Sequence, residues 1–146
     1  MLTRRSFVMQ SIGGLGMTIP QFTHAQSATL WVPPEDHPHE ATFMQWPVDP
    51  AVYTDRYNLK QVQKTIAPIT NIISAFEPVI ILADAAFHAP ARKLLSDQVD
   101  LWNIPTNDLW CRDSGPIIAF DDADQRVVSH IQFNGWGNKQ PHNHDA

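Results

Sequence analysis

The chain has 146 residues, 43% of them hydrophobic and 17% charged, which fits one globular domain at most and excludes a disordered polymer. Its formal charge is −5, and setting aside residues 1–25 with their two arginines, Arg4 and Arg5, lowers it to −7. No Lys/Arg patch stands out in the remainder, which argues against nucleic acid and anionic membrane as partners, and the single cysteine, Cys111, rules out an intrachain disulfide.

Residues 1–25 read as an address. Arg4-Arg5-Ser6-Phe7 is followed by a weakly apolar stretch from Ile12 to Ile19, interrupted by Gly13, Gly14 and Gly16. Thr23-His24-Ala25 then places small residues at the positions a signal peptidase inspects. The stretch is too short and too glycine-rich to span a bilayer as a stable helix. The paired arginines resemble a twin-arginine (Tat) signal. A Tat translocase partner and a periplasmic or secreted location are therefore expected.

Residues 26–40 hold Pro33, Pro34 and Pro38 and predict an extended leading segment. Ala41 to Trp46 predicts a strand closed by Pro47. Leu59, Val62, Ile66, Ile69, Ile73 and Phe76 recur at helical spacing, so residues 55–76 predict an amphipathic helix, which Pro68 should kink or split. Val79-Ile80-Ile81-Leu82 predicts a short buried strand. Residues 88–98 fit a second helix with Leu94 and Leu95 inward, and Asp100 to Ile104 another strand. Ile117 to Phe120 and Val127 to Phe133 predict two strands joined by the turn Asp121-Asp122-Ala123-Asp124. Helices alternating with strands and then a hairpin make an α/β architecture. The 12 prolines suggest frequent loop breaks, and the five tryptophans suggest either a ring-lined cleft or a bulky core. The polar tail Gln140 to Ala146 follows a strand with no helix after it, so the fold is expected to be completed elsewhere.

Chemistry concentrates between two predicted strands, in Asn107-Asp108-Leu109-Trp110-Cys111-Arg112-Asp113-Ser114-Gly115-Pro116. Trp110 and Asp113 are three residues apart. A carboxylate accepts the planar N–H fork of a guanidinium bidentately, and a ring face covers the delocalised cation. Gly115-Pro116 would fix a turn and let the backbone approach a ligand. Spacing alone leaves a second possibility: Arg112 and Asp113 as a structural ion pair, with Trp110 in the core.

Trp110 to Pro116 resembles the Trp-x-Arg-Asp-x-Gly-Pro signature of agmatine deiminases and the related bacterial peptidylarginine deiminases. The similarity extends upstream to Pro38-His39-Glu40-Ala41-Thr42 with Trp46-Pro47, and downstream to Phe133-Asn134-Gly135-Trp136-Gly137. The resemblance implies the N-terminal part of a five-bladed, pseudo-symmetric α/β propeller of the pentein kind, with residues 26–146 an incomplete catalytic domain. It implies hydrolysis of a guanidinium to a ureido group and ammonia through a cysteine thiolate, helped by a histidine, without metal or organic cofactor. Asp113 matches a catalytic, guanidinium-holding carboxylate and Trp110 a pocket wall, while Arg112 would order the loop. Agmatine is the expected substrate, because Gly135 to Lys139 has no arginine to grip a peptide carboxylate, although Lys139 is present. A peptidylarginine deiminase and a non-catalytic guanidinium-binding remnant are the alternatives, and a homo-oligomer of the full-length protein stays open.

The family's nucleophile, histidine and second carboxylate lie downstream of the signature. Cys111 stands at its variable position and does not match the nucleophile, although neighbouring Arg112 could lower its pKa. Two His-x-His pairs, His37/His39 and His142/His144, flanked by Glu40 and Asp145, would share a face on a strand and could hold Zn²⁺ or Ni²⁺. Histidines in polar loops are more often simply solvated.

Overall fold

The computed structural model describes residues 29–145. The signal peptide expected over residues 1–25 lies outside them. Three parallel strands, β1 (Thr42–Gln45), β2 (Val79–Ala83) and β3 (Val99–Asn103), form a sheet in the order β1-β2-β3. Helix α1 (Arg56–Ile73) crosses from β1 to β2, and a 3-10 turn (Ala85–Phe87) with the short helix α2 (His88–Arg92) crosses from β2 to β3. A single helical turn, α3 (Cys111–Ser114), leads into the antiparallel hairpin β4 (Ile117–Phe120) and β5 (Arg126–Ser129).

Strand alternation sets the core. Val79, Ile81 and Ala83 of β2 project to one face with Val99 of β3, where they meet Trp46, Ala67 of α1, and Ala91 and Leu95. Full burial of a branched side chain such as Ile81 stabilises the fold by about 1.5–3 kcal/mol. On the opposite face Phe43 and Trp102 meet edge to face at 5.6 Å and stay partly exposed.

Helix α1 starts where its cap dictates. Asp55 is extended, and its carboxylate accepts the Asn58 N–H at 2.8 Å, which satisfies one of the free donors of the first turn. Pro68 does not split it: the helix runs unbroken for 18 residues. Pro68 and Lys64 are both exposed, so the Lys64 carbonyl that loses its partner faces water. The buried positions are Leu59, Ala67 and Thr70, with Thr70 donating to the Ile66 carbonyl. Ile69 and Phe76, expected inward, are exposed, because Ala67 and Thr70 occupy the face that packs on the sheet.

Three further expectations are corrected. The second helix ends at Arg92 rather than at residue 98, since Leu94 and Leu95 both turn back to the Ala91 carbonyl. Leu95 is buried as expected, whereas Leu94 is exposed. Strand β5 stops at Ser129, matching the four residues that β4 offers as partners. The leading segment also pairs: Trp31 exchanges backbone hydrogen bonds with Phe120 at 3.0 and 2.9 Å, and the two rings stack. No helix of the described residues is long and apolar enough to cross a membrane.

Candidate active site

The connection from β3 to β4 leaves the carboxyl end of the parallel sheet, where open α/β sheets present ligands. Within it, the N–H groups of Asp113 and Ser114 both point to the Trp110 carbonyl, at 3.2 and 3.3 Å. This tight turn brings the backbone of Trp110 and Asp113 close together. Trp110 is 50% exposed, so it is not a core residue. Asp113 is exposed and enters none of the ion pairs among the described residues. The Arg112–Asp113 pair is absent, because Arg112 Nη2 reaches Glu35 Oε1 at 2.5 Å and ties the loop to the leading segment.

The turn is anchored to β1, where Gln45 Nε2 donates to Ser114 Oγ at 3.0 Å. Gly115 closes it, its N–H donating to the Cys111 carbonyl at 2.7 Å. A Cβ on Gly115 would sit 2.4 Å from that carbonyl oxygen. The glycine is therefore required by the turn itself, whatever ligand approaches.

Trp136 faces Trp110 edge to face, with centroids 6.4 Å apart, and packs on Phe133 at 5.2 Å. It belongs to a left-handed turn, Gly135 to Asn138, whose φ angles are 59°, 51°, 81° and 60°. L-residues avoid this region, so the two glycines adopt it without strain while Trp136 and Asn138 bear the cost. Asn134 Oδ1 accepts the Gly137 N–H at 3.0 Å and supports the turn.

Upstream of Trp110 lies a buried polar hub that local sequence reading misses. Thr106 Oγ1 donates to the Trp46 carbonyl at 2.9 Å, and the Asn107 carbonyl accepts from the Val48 and Asp49 N–H groups at 3.3 and 3.2 Å. The Asp145 carboxylate accepts the Asn107 N–H at 2.8 Å and the Asp108 N–H at 3.2 Å. Asp108 accepts the Tyr53 hydroxyl, the Leu109 N–H at 2.7 Å and Gln140 Nε2 at 2.8 Å. Burial pushes the Asp145 carboxyl above its ordinary value, against the pull of the two backbone N–H groups. Burial also pushes the Tyr53 hydroxyl well up, with its bond to Asp108 acting in the same direction, so it stays a donor. The only forewarning in the sequence is a run of polar residues just before an aromatic signature.

Cys111 carries no feature of a nucleophile, since burial pushes its thiol above the ordinary value and keeps it protonated at neutral pH. The two His-x-His pairs sit in turns and loops rather than on strands. His37 Nδ1 lies 3.1 Å from the Pro38 carbonyl, His39 Nε2 lies 2.5 Å from Glu77, and His142 Nδ1 lies 3.0 Å from the Gln140 carbonyl. Among the described residues no group of three or more His, Cys, Asp or Glu is gathered as a metal set.

Comparison with known proteins bears on the same region. The model of the Porphyromonas-type peptidyl-arginine deiminase family matches residues 31–146. A Streptomyces coelicolor protein provisionally named agmatine deiminase is 37% identical over 109 residues, covering 75% of this chain and 32% of its own length. A Pectobacterium atrosepticum protein with the same provisional name is 33% identical over 123 residues, covering 83% and 32%. Among solved structures, the agmatine deiminase of Enterococcus faecalis superposes with a TM-score of 0.60 at 26% identity, covering 68% of this chain and 27% of that one. A substrate-bound Campylobacter jejuni agmatine deiminase superposes with a TM-score of 0.70 at 22% identity, covering 84% and 36%, a likeness of fold. The chain thus spans about a third of the length of the curated relatives it matches.

Proposed function

Because this chain belongs to the Porphyromonas-type peptidyl-arginine deiminase family and shares its α/β fold, we propose that it forms the N-terminal portion of a guanidine-deiminating hydrolase acting on agmatine. The observation that carries the reading is the turn at the carboxyl edge of the sheet, which holds a half-exposed Trp110 three residues from an exposed Asp113 that enters no ion pair among the described residues. Asp113 holds the guanidinium N–H fork and Trp110 covers its face. In the reaction, water replaces one guanidinium nitrogen: agmatine and water give N-carbamoylputrescine and ammonia. The thiolate and histidine that carry the covalent step are supplied by the remainder of the enzyme, beyond the span matched here. Cys111, partly buried and at the variable position of the signature Trp110 to Pro116, does not match that thiolate.

Relatives provisionally named agmatine deiminases support agmatine over peptidyl-arginine. So does the stretch Gly135 to Lys139, which has no arginine to receive a peptide carboxylate. The whole enzyme is proposed to close as a five-bladed propeller, with residues 1–25 directing its export. The test is ammonia release from agmatine by the full-length protein. Turnover that Asp113→Ala abolishes is expected, and near-normal turnover in that variant would refute the role of Asp113. Residues 1–146 by themselves are expected to be inactive, and turnover lost in Cys111→Ala would overturn that.

A further inference from the structure

We propose that Asp108 and Asp145 are positioning residues that clamp the base of the guanidinium loop, fixing where Trp110 and Asp113 stand before substrate arrives. The inference rests on the reading of Trp110 and Asp113 as the guanidinium site.

Both carboxylates are nearly inaccessible, Asp108 at 3% and Asp145 at 5% exposure. A buried carboxylate is expensive unless its oxygens are satisfied. Neither enters an ion pair among the described residues. Hydrogen bonds satisfy them instead. Asp145 Oδ1 takes the Asn107 N–H at 2.8 Å and Oδ2 the Asp108 N–H at 3.2 Å. Asp108 Oδ1 takes the Tyr53 hydroxyl and the Leu109 N–H, and Oδ2 takes Gln140 Nε2. Three separate stretches of chain, around Tyr53, Gln140 and Asp145, thereby converge on two consecutive residues.

The direction of these bonds matters. Asp145 grips backbone N–H groups, which have no rotamer freedom, so the loop base inherits the position of Asp145 directly. From Asp108 the chain reaches Trp110 in two residues and Asp113 in five, through one helical turn pinned by Ser114 to Gln45. The loop is therefore held at both ends, while the two ligand-facing side chains between them remain exposed. A displacement of about 1 Å in a substrate-holding group can lower a rate by roughly a hundredfold, which is the scale on which such a clamp acts.

The experiment uses the full-length protein and compares Asp145→Asn, Tyr53→Phe, Asp108→Ala and Asp108→Asn with Asp113→Ala, reading agmatine KM and kcat, melting temperature and amide exchange over residues 106–116. In Asp145→Asn the side-chain amide offers one acceptor oxygen to two N–H groups and leaves one unsatisfied. Asp145→Asn is expected to raise KM about tenfold and to speed exchange at residues 107 and 108, with Val79 to Ala83 unchanged. Asp108→Asn keeps an oxygen toward Tyr53 and Leu109, so it should recover most of the KM that Asp108→Ala loses. Should Asp145→Asn not fold, Tyr53→Phe removes a single bond and is expected to raise KM about threefold. A lower melting temperature with unchanged KM across these variants overturns the proposal. If Asp113→Ala leaves KM and kcat unaltered, the guanidinium reading itself fails and the clamp proposal falls with it; if only Asp113→Ala has an effect, the clamp alone is refuted.

Discussion

Trp110 and Trp136 meet edge to face, with ring centroids 6.4 Å apart and planes at 78°. The contact holds Trp110 upright although half its surface is open. An aromatic face presented to a guanidinium contributes about 0.5–2 kcal/mol, so Trp110→Ala in the full-length enzyme should raise agmatine KM by roughly 2- to 30-fold. Trp110→Phe, with a weaker ring quadrupole, should fall between. Steady-state kinetics checks this, and an unchanged KM in Trp110→Ala would remove Trp110 from the pocket.

The left-handed turn that carries Trp136 makes a second prediction, about stability. Gly135 has φ of 59°, and a Cβ there would lie 2.4 Å from His142 Nδ1 and 2.9 Å from the Gln140 carbonyl oxygen. Gly137 has φ of 81° but open space around it. Gly137→Ala should therefore cost only the backbone strain of about 1–2 kcal/mol. Gly135→Ala adds a steric clash and should cost more, lowering the melting temperature by several degrees beyond the Gly137 variant. Thermal unfolding of the two variants side by side decides it, and equal costs would contradict the packing of His142 over Gly135.

The contrast between these residues shows what a reader of the chain could see. Val79 to Leu82 is a short run of branched apolar residues bounded by Pro78, which suits a buried strand, and β2 lies there. Trp110 and Asp113 could be singled out because they stand three residues apart in one short signature, and the structure places both on a single turn. The hub was not, because Asp145 and Asp108 are 37 residues apart and meet through backbone N–H groups that no residue pattern encodes. Periodicity also misplaced part of α1: Ile69 continues the apolar stripe, but the face that packs on the sheet is lined by the smaller Ala67 and Thr70. Apolar spacing reports which side chains could be buried, whereas the neighbouring elements decide which are. Leu94 shows the same limit, since a turn at Ala91 rotates it outward and sends Leu95 inward.

A pH dependence follows from His39 and Glu77, whose Nε2 and Oε2 lie 2.5 Å apart on the surface. The His39 pKa is raised from 6.5, first by its bond to the His37 carbonyl and then by the Glu77 charge. The Glu77 pKa is lowered from 4.5, first by the Thr42 hydroxyl, with burial opposing and His39 assisting. A raised histidine contributes stability that is complete below 6.5 and is lost as pH rises through its folded pKa. A lowered carboxyl contributes stability that is complete above 4.5 and is lost as pH falls through its folded pKa. Both contributions are therefore present together between those two ordinary values. His39→Gln should lower the melting temperature most near pH 5.5, with the deficit shrinking as pH rises through the folded pKa of the native histidine. A deficit that stays constant as pH rises well above 6.5 would mean that His39 acts through packing rather than charge.

The proposed export is tested on residues 1–25. Arg4 and Arg5 precede Ser6-Phe7 and an apolar stretch whose three glycines keep it weakly hydrophobic, the kind of leader suited to a route that recognises the arginine pair. Cargo on that route folds before it crosses, so Cys111 would already be partly buried, with its thiol protonated, when it met an oxidising compartment. Arg4→Lys with Arg5→Lys should therefore leave the precursor uncleaved in the cytoplasm, while the unaltered chain yields a mature protein beginning at Gln26. Fractionation with mass spectrometry of the N-terminus reads both results. Export that survives the double lysine change would show that the apolar stretch is being read by a general secretory route instead. The thiol would then cross unfolded and arrive unprotected, and mixed disulfides at Cys111 should appear in the exported protein.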